Sequence, residues 1–195
     1  KAVNPRMKVC KVAGETLLFS DRANGEKHDH DNFDPHIWLS LRRAVEMVQK
    51  IKIVLVEIDP DHQLQYEKNA EAYTKALTEL DSEAIKLFTK SHKKSFLVYH
   101  PAWSYFARDY GLKEIAIEKN GKEPSAAHIA KVIKMARDEG IEAVIVSPQF
   151  SEKRTQVVAK EIGGKIIVAD DLARDYLGSV RQLIYQLASN LENDL

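Results

Sequence analysis

The sequence has a single cysteine, no excess charge and no long hydrophobic run, and each lack excludes a class of protein. Cys10 has no second cysteine with which to form a disulfide within the chain, and a zinc site built from cysteines is excluded as well. Lys and Arg total 29, as do Asp and Glu, so no basic surface for nucleic acid is predicted. No apolar stretch approaches the roughly 18 to 20 residues that span a bilayer.

The composition is that of a folded protein. Hydrophobic residues make up 44% of the 195 residues and charged residues 30%, a balance that disordered chains lack. The length allows one large domain or two small lobes. Because the chain begins at Lys1, without a methionine or a signal peptide, we expect it to derive from a longer protein.

From residue 96 onward, short apolar runs alternate with helical stretches. The apolar runs are rich in β-branched residues, as are strands that are buried on both faces of a sheet. They span residues 96–99, 115–117, 143–146 and 165–168. The helical stretches span residues 103–110, 125–139, 151–162 and about 172–191. This alternation predicts an α/β fold with a parallel sheet and flanking helices.

The first half of the chain lacks this regular alternation of strands and helices in its residue pattern. Short apolar runs at residues 9–12 and 17–19 are compatible with strands, and a helical period follows over residues 41–51. Pro60 interrupts that period. A second apolar series then predicts a long helix over about residues 62–92.

Two candidate metal ligands follow predicted strands. His100 comes directly after the first strand, and Asp170 comes shortly after the fourth. Because ligands bind beyond the carboxyl ends of parallel strands, both side chains are expected at one edge of the sheet. Imidazole and carboxylate suit zinc. An acid–base role for Asp170 with Asp171 is the alternative for that pair.

A third candidate ligand lies at a predicted helix start. Pro35 restricts Asp34 to extended geometry, so His36 follows a turn and comes just before the helix. Asp34 is then placed to accept a hydrogen bond from the imidazole and to fix the tautomer that binds metal. A capping or surface histidine explains the same residue.

The motifs around these residues resemble one family. The stretch Asp34-Pro-His-Ile-Trp-Leu-Ser40 resembles the DPHxWLSP signature of the zinc and manganese solute-binding proteins of bacterial ABC importers, with Leu41 replacing the last proline. Residues 96–112 are similar to the histidine motif of that family's second lobe. Three shorter motifs follow in the family's order, Glu123-Pro-Ser125, Pro148-Gln-Phe150 and Asp170-Asp-Leu-Ala173.

The resemblance implies an extracytoplasmic receptor, periplasmic or on the outer face of the cytoplasmic membrane, that delivers a divalent metal to the membrane subunit of an ABC permease. It implies that His36, His100 and Asp170 are the metal ligands, converging on one ion, and that the chain is not an enzyme. Manganese-type members tend to carry Glu at the position of His100. Since imidazole favours zinc over manganese, Zn2+ is expected rather than Mn2+.

The resemblance also implies a domain organisation. It divides the chain into a partial N-terminal α/β lobe (1–61), a long rigid connecting helix (62–93) and a C-terminal α/β metal-binding lobe (94–195). Family members carry another ligand histidine far upstream of the DPHxW motif, whereas only His28 and His30 precede His36 here. We therefore expect a fragment that lacks much of its N-terminal lobe and that exposes apolar surface through which two copies form a homodimer.

The segment His28-Asp-His-Asp31 resembles a short version of the histidine-rich loop of zinc-type members, which predicts an accessory, weaker metal site at His28 and His30. An ordinary solvated loop explains the same residues. Two other functions stay open. A zinc-dependent hydrolase would use an open coordination position on the metal, and a manganese-binding, adhesin-like surface receptor would share the fold.

Overall fold

The computed structural model describes residues 4, 7–13, 34–118, 124–150 and 152–192. The chain divides into two compact units, Lys1–Thr78 and Glu79–Leu195. The predicted boundaries at residues 61/62 and 93/94 stay a prediction. None of the helices among the described residues is both long and apolar enough to cross a membrane.

Residues 37–78 of the first unit are mostly helical. A short 3-10 turn at Ile37–Leu39 leads into helix α1, Leu41–Ile58, and a second 3-10 turn at Pro60–His62 leads into helix α2, Gln63–Lys90. The point at which the two units divide falls within α2. Residues 9–12, one of the runs compatible with a strand, form neither strand nor helix, and residues 17–19 lie outside the described residues.

Helix α1 begins where its capping residue predicts. Ser40 is extended (φ −85°, ψ 121°), and its Oγ accepts a hydrogen bond from the backbone N–H of Arg43 at 3.2 Å. This bond satisfies one of the amides that the first helical turn leaves without a helical partner. The helix reaches Ile58, beyond the predicted residue 51, and Pro60 starts the next turn. The 3-10 turn, the cap and the helix together hold residues 34–40 in a defined conformation.

The second unit is built on one parallel sheet. Its strands are β1 (Ser95–Val98), β2 (Lys113–Ala116), β3 (Ala143–Val146) and β4 (Lys165–Val168), in the order β2-β1-β3-β4. Helices α3 to α6 follow the four strands in turn, at Ser104–Asp109, Ala126–Asp138, Glu152–Ile162 and Tyr176–Glu192. The predicted α/β fold with a parallel sheet and flanking helices is therefore confirmed.

The core of the second unit surrounds its two central strands. All four residues of β3 are buried, and Leu97 of β1 is fully buried, as the apolar runs predicted. Apolar residues of α4 and α5, among them Val132, Ala136 and Val158, complete the same cluster. The burial of β1 and β3 fixes the positions of the loops that follow them.

Glycines end three of the helices in this unit. Gly111, Gly140 and Gly163 follow α3, α4 and α5 with φ angles of 65°, 62° and 69°. A side chain makes this left-handed conformation unfavourable, so glycine is the residue that ends a helix there. After each of these turns the next strand begins. Because the helices carry the chain back between parallel strands, all four strands end at the same edge of the sheet. We call this the carboxyl edge.

Candidate metal site

His36 in the first unit is held by the aspartate two positions before it. Asp34 Oδ1 lies 2.7 Å from His36 Nδ1 and also accepts a hydrogen bond from the His36 backbone N–H at 2.9 Å. The two side chains are only 15% and 14% exposed. The ring of Trp38 meets the imidazole edge-on, with centroids 5.4 Å apart. The turn therefore gives the imidazole one orientation.

This contact decides which nitrogen of His36 can bind a metal. A carboxylate only accepts hydrogen bonds, so Nδ1 is the nitrogen that carries hydrogen. In the neutral ring the lone pair then resides on Nε2, which is the nitrogen able to coordinate a cation. The contact is the one expected for Asp34, and its role in metal binding stays a prediction.

His100 in the second unit is held in the same way by a residue that follows another strand. It follows β1, and Glu118 follows the neighbouring strand β2; His100 Nδ1 lies 2.9 Å from Glu118 Oε2. The Glu118 side chain is 9% exposed and that of His100 is 26% exposed. By the same reasoning, Nε2 of His100 is the nitrogen able to coordinate a cation.

Glu118 was not among the predicted site residues, although a signal for it existed. Residues 96–99 and 115–117 were predicted to be parallel strands, and Glu118 follows the second as His100 follows the first. A nearly buried carboxylate is costly unless it is paired, so an acidic residue at that position called for a cationic or N–H partner. His100 is that partner.

Asp170 lies at the same carboxyl edge, after β4. Its Oδ1 accepts hydrogen bonds from the Gln149 side chain at 2.8 Å and from the Leu172 backbone N–H at 3.0 Å. Its neighbour Asp171 is buried and accepts a hydrogen bond from Ser147 Oγ. Asp171 therefore has a hydrogen-bonding role within the loops, which leaves Asp170 as the carboxylate at the surface of the edge.

The predicted site residues are thus divided between the units. His100 and Asp170 follow strands of one sheet and lie at its carboxyl edge, as their positions in the sequence predicted. His36 belongs to the first unit. His28 and His30 lie outside the described residues. Neither unit, in its described part, brings together three or more His, Cys, Asp or Glu side chains that could hold a metal ion. The assignment of ligands stays a prediction.

A third imidazole–carboxylate pair lies at the start of α2. His62 Nδ1 is 2.9 Å from both carboxylate oxygens of Asp59, and the His62 side chain is 61% exposed. The hydroxyl of Tyr66 donates to the same carboxylate, which lowers the pKa of Asp59 and raises the pKa of Tyr66. This exposed pair stabilises the turn between α1 and α2. It serves as a control for the His36–Asp34 and His100–Glu118 pairs, because it has the same kind of contact at a position that is not proposed to bind metal.

The chain is similar in sequence to proteins that are described as zinc-binding or zinc-uptake components. The sequence matches the family described as "ZnuA: Zinc-uptake complex component A periplasmic" over residues 1–190. It is 34% identical over 176 residues to the zinc-binding lipoprotein AdcA of Streptococcus pneumoniae, a match that covers 86% of this chain and 35% of AdcA. It is 36% identical over 141 residues to the high-affinity zinc uptake system protein ZnuA of Bacillus subtilis, covering 71% of this chain and 44% of that protein.

The fold is similar to that of a solved relative. A crystal structure of ZnuA superposes with a TM-score of 0.87 at 33% identity, covering 97% of this chain and 71% of that one. The chain therefore spans between about a third and a half of the length of the two curated relatives named above, and most of the length of the solved structure.

Proposed function

Because the chain belongs to the ZnuA family of zinc-uptake components, we propose that it is the zinc-binding part of an extracytoplasmic receptor. The receptor would bind zinc and deliver it to an ABC-type permease. One observation carries the proposal: in each unit, a poorly exposed imidazole is held through Nδ1 by a carboxylate, His36 by Asp34 and His100 by Glu118. Metal-binding histidines in proteins are held in this way.

The proposed ligands are Nε2 of His36, Nε2 of His100 and a carboxylate oxygen of Asp170. Two imidazoles and one carboxylate are a donor set that zinc accepts, with water as a fourth ligand. Imidazole nitrogen favours zinc over manganese, which prefers oxygen. Zinc is therefore the proposed cargo, and manganese the weaker competitor.

The names of the relatives support the remaining parts of the proposal. One relative is named as a lipoprotein that binds zinc and another as part of a zinc uptake system. We accordingly place this receptor in the periplasm or on the outer face of the cytoplasmic membrane, with the membrane subunit of the permease as its partner. Formation of a homodimer stays a prediction that sedimentation at several concentrations can test.

Binding without catalysis is the favoured activity. A zinc-dependent hydrolase needs a metal-bound water and a base that activates it, and the sequence has no HExxH motif that would supply two zinc ligands with such a base. The relatives named above are zinc-binding and zinc-uptake proteins, so neither the hydrolase nor the manganese-binding adhesin-like receptor is favoured.

The experiment that tests the proposal is a metal titration of the metal-free chain by calorimetry, with Zn2+ and Mn2+ in parallel. We expect one high-affinity zinc per chain and much weaker manganese binding. The zinc-loaded chain should leave generic ester, peptide and phosphate substrates unhydrolysed. Absence of tight zinc binding, or equal affinity for manganese, would contradict the proposed function.

The accessory site at His28 and His30 is proposed separately. Deletion of residues 24–32 should remove any second, weaker phase of the zinc titration and leave the first phase intact. If the first phase is lost instead, one of these two histidines is a ligand of the main site.

A further inference from the structure

The loop that follows the central strand β3 reaches toward the ends of both neighbouring strands. Strand β3 lies between β1 and β4 in the sheet. After it, the backbone N–H of Phe150 donates to the carbonyl of Ser147 at 3.0 Å, which closes a turn over residues 147–150. We call these four residues the β3 turn. It lies at the carboxyl edge, between His100 and Asp170 in strand order.

On the β1 side, the β3 turn contacts His100 through an aromatic ring. The ring of Phe150 stacks on the imidazole, with centroids 5.0 Å apart and planes inclined by 21°, and Tyr99 packs on the same phenyl ring. The hydrogen bond from Nδ1 to Glu118 fixes one atom of the imidazole, but the ring can still tilt about that bond. The stacked phenyl ring limits the tilt, so the two contacts together fix the direction of Nε2.

On the β4 side, the β3 turn contacts Asp170 through an amide. Gln149 Nε2 donates to Asp170 Oδ1 at 2.8 Å, and the Leu172 backbone N–H donates to the same oxygen at 3.0 Å. Both hydrogen bonds use Oδ1, so the carboxylate is held through that oxygen and Oδ2 takes no part in either bond. Oδ2 is then the oxygen that the arrangement presents to a cation.

We propose that Gln149 and Phe150 are positioning residues for metal binding, Gln149 through Asp170 and Phe150 through His100. One short turn thus orients two of the three ligands that the proposed function requires, and this inference rests on that function. The orientation exists before metal arrives, so zinc binding loses less side-chain entropy.

The expected effect is moderate, because each residue contributes one contact. Gln149→Leu and Phe150→Leu should each weaken zinc binding by about 3- to 10-fold, because a second contact still holds each ligand, the Leu172 N–H on Asp170 and Glu118 on His100. Leucine keeps apolar bulk at both positions. Gln182→Leu, an exposed glutamine-to-leucine change on α6, is the matched control and should leave affinity unchanged.

Two measurements on the full chain distinguish a positioning role of these residues from a general loss of structure in the variants. In an Asp170→Ala background, Gln149→Leu should change zinc affinity by less than about twofold, since the residue it acts through is gone. In the metal-free chain, Phe150→Leu should move the NMR resonances of the His100 ring protons downfield, because the shielding of the stacked ring is lost.

The outcomes of these measurements are distinct. An equal loss of affinity from Gln149→Leu with and without Asp170, or His100 ring resonances that do not move in Phe150→Leu, would overturn the positioning role. Failure of the unaltered chain to bind zinc would refute the proposed function instead. In that case the metal-free spectrum still decides whether Phe150 orients the His100 ring.

Discussion

The two imidazoles proposed to bind zinc are held alike, but by carboxylates at different separations in the chain. His36 contacts Asp34, two positions earlier, within a turn that Pro35 and the Ser40 cap define. His100 contacts Glu118, 18 positions later and beyond the end of the next strand. A local turn supplies the first contact, whereas the second needs β1 and β2 to pair in the correct register.

The register explains how this long-range contact forms. Val98 of β1 lies opposite Ala116 of β2, so His100, two residues beyond Val98, lies opposite Glu118, two residues beyond Ala116. A shift of one residue would turn every side chain of a strand to the other face. The geometry of His100 therefore depends on the folding of the second unit, while that of His36 depends on its own turn.

The largest effects are expected from removal of the imidazoles themselves. His36→Ala and His100→Ala should each weaken zinc binding by at least about 100-fold, since loss of a ligand should exceed the 10- to 100-fold effect of losing its hydrogen-bond partner. His62→Ala removes an imidazole that is also paired with an aspartate and should leave affinity unchanged. Calorimetric titration measures all three variants, and a strong effect of His62→Ala would argue against the assigned ligands.

The next largest effects are expected from changes to the carboxylates that hold the two imidazoles. Asp34→Asn and Glu118→Gln should each weaken zinc binding by about 10- to 100-fold, because an amide no longer fixes the tautomer or supplies negative charge. The matched control is Glu142→Gln, which removes an exposed carboxylate paired with Lys93. If Glu118→Gln binds zinc as the unaltered chain does, the sheet-dependent half of the comparison is wrong.

Smaller effects are expected from the serines that cap one helix in each unit. Ser40→Ala should lower the free energy of unfolding by about 1 kcal/mol, and Ser125→Ala by about 0.5 kcal/mol. Both Oγ atoms accept an amide hydrogen bond at 3.2 Å, but Ser40 is fully buried and Ser125 is exposed. Urea denaturation measures both values, and the reverse order would contradict the local explanation of the His36 turn.

The strands and the Asp34 contact could be predicted because their causes are local. Runs such as Ala143–Val146 are apolar throughout and β-branched at all but the first residue, which is the pattern of a central parallel strand. Asp34 is followed by proline, and its distance from His36 is set by two residues of backbone. Glu118 was missed because its partner is set by the register of two strands, which the pattern of apolar residues does not specify.

The start of the last helix shows a second limit. The apolar period placed it at about residue 172, but α6 begins at Tyr176. The cause is Asp175, whose Oδ1 accepts a hydrogen bond from the Gly178 backbone N–H at 3.1 Å and so caps the helix. Leu172 is 64% exposed in the turn before it. The aspartate cap, rather than the apolar period, sets the first residue of α6. The capping residue therefore predicts the start of this helix better than the apolar period does.

The most direct test of the central proposal is anomalous diffraction at the zinc absorption edge from crystals of the zinc-loaded chain. We expect one strongly occupied zinc, bound by Nε2 of His36, Nε2 of His100 and an oxygen of Asp170, with Asp34 and Glu118 still hydrogen-bonded to the Nδ1 atoms. A zinc bound by only one of these imidazoles, or through Nδ1 in place of Nε2, would contradict the proposal.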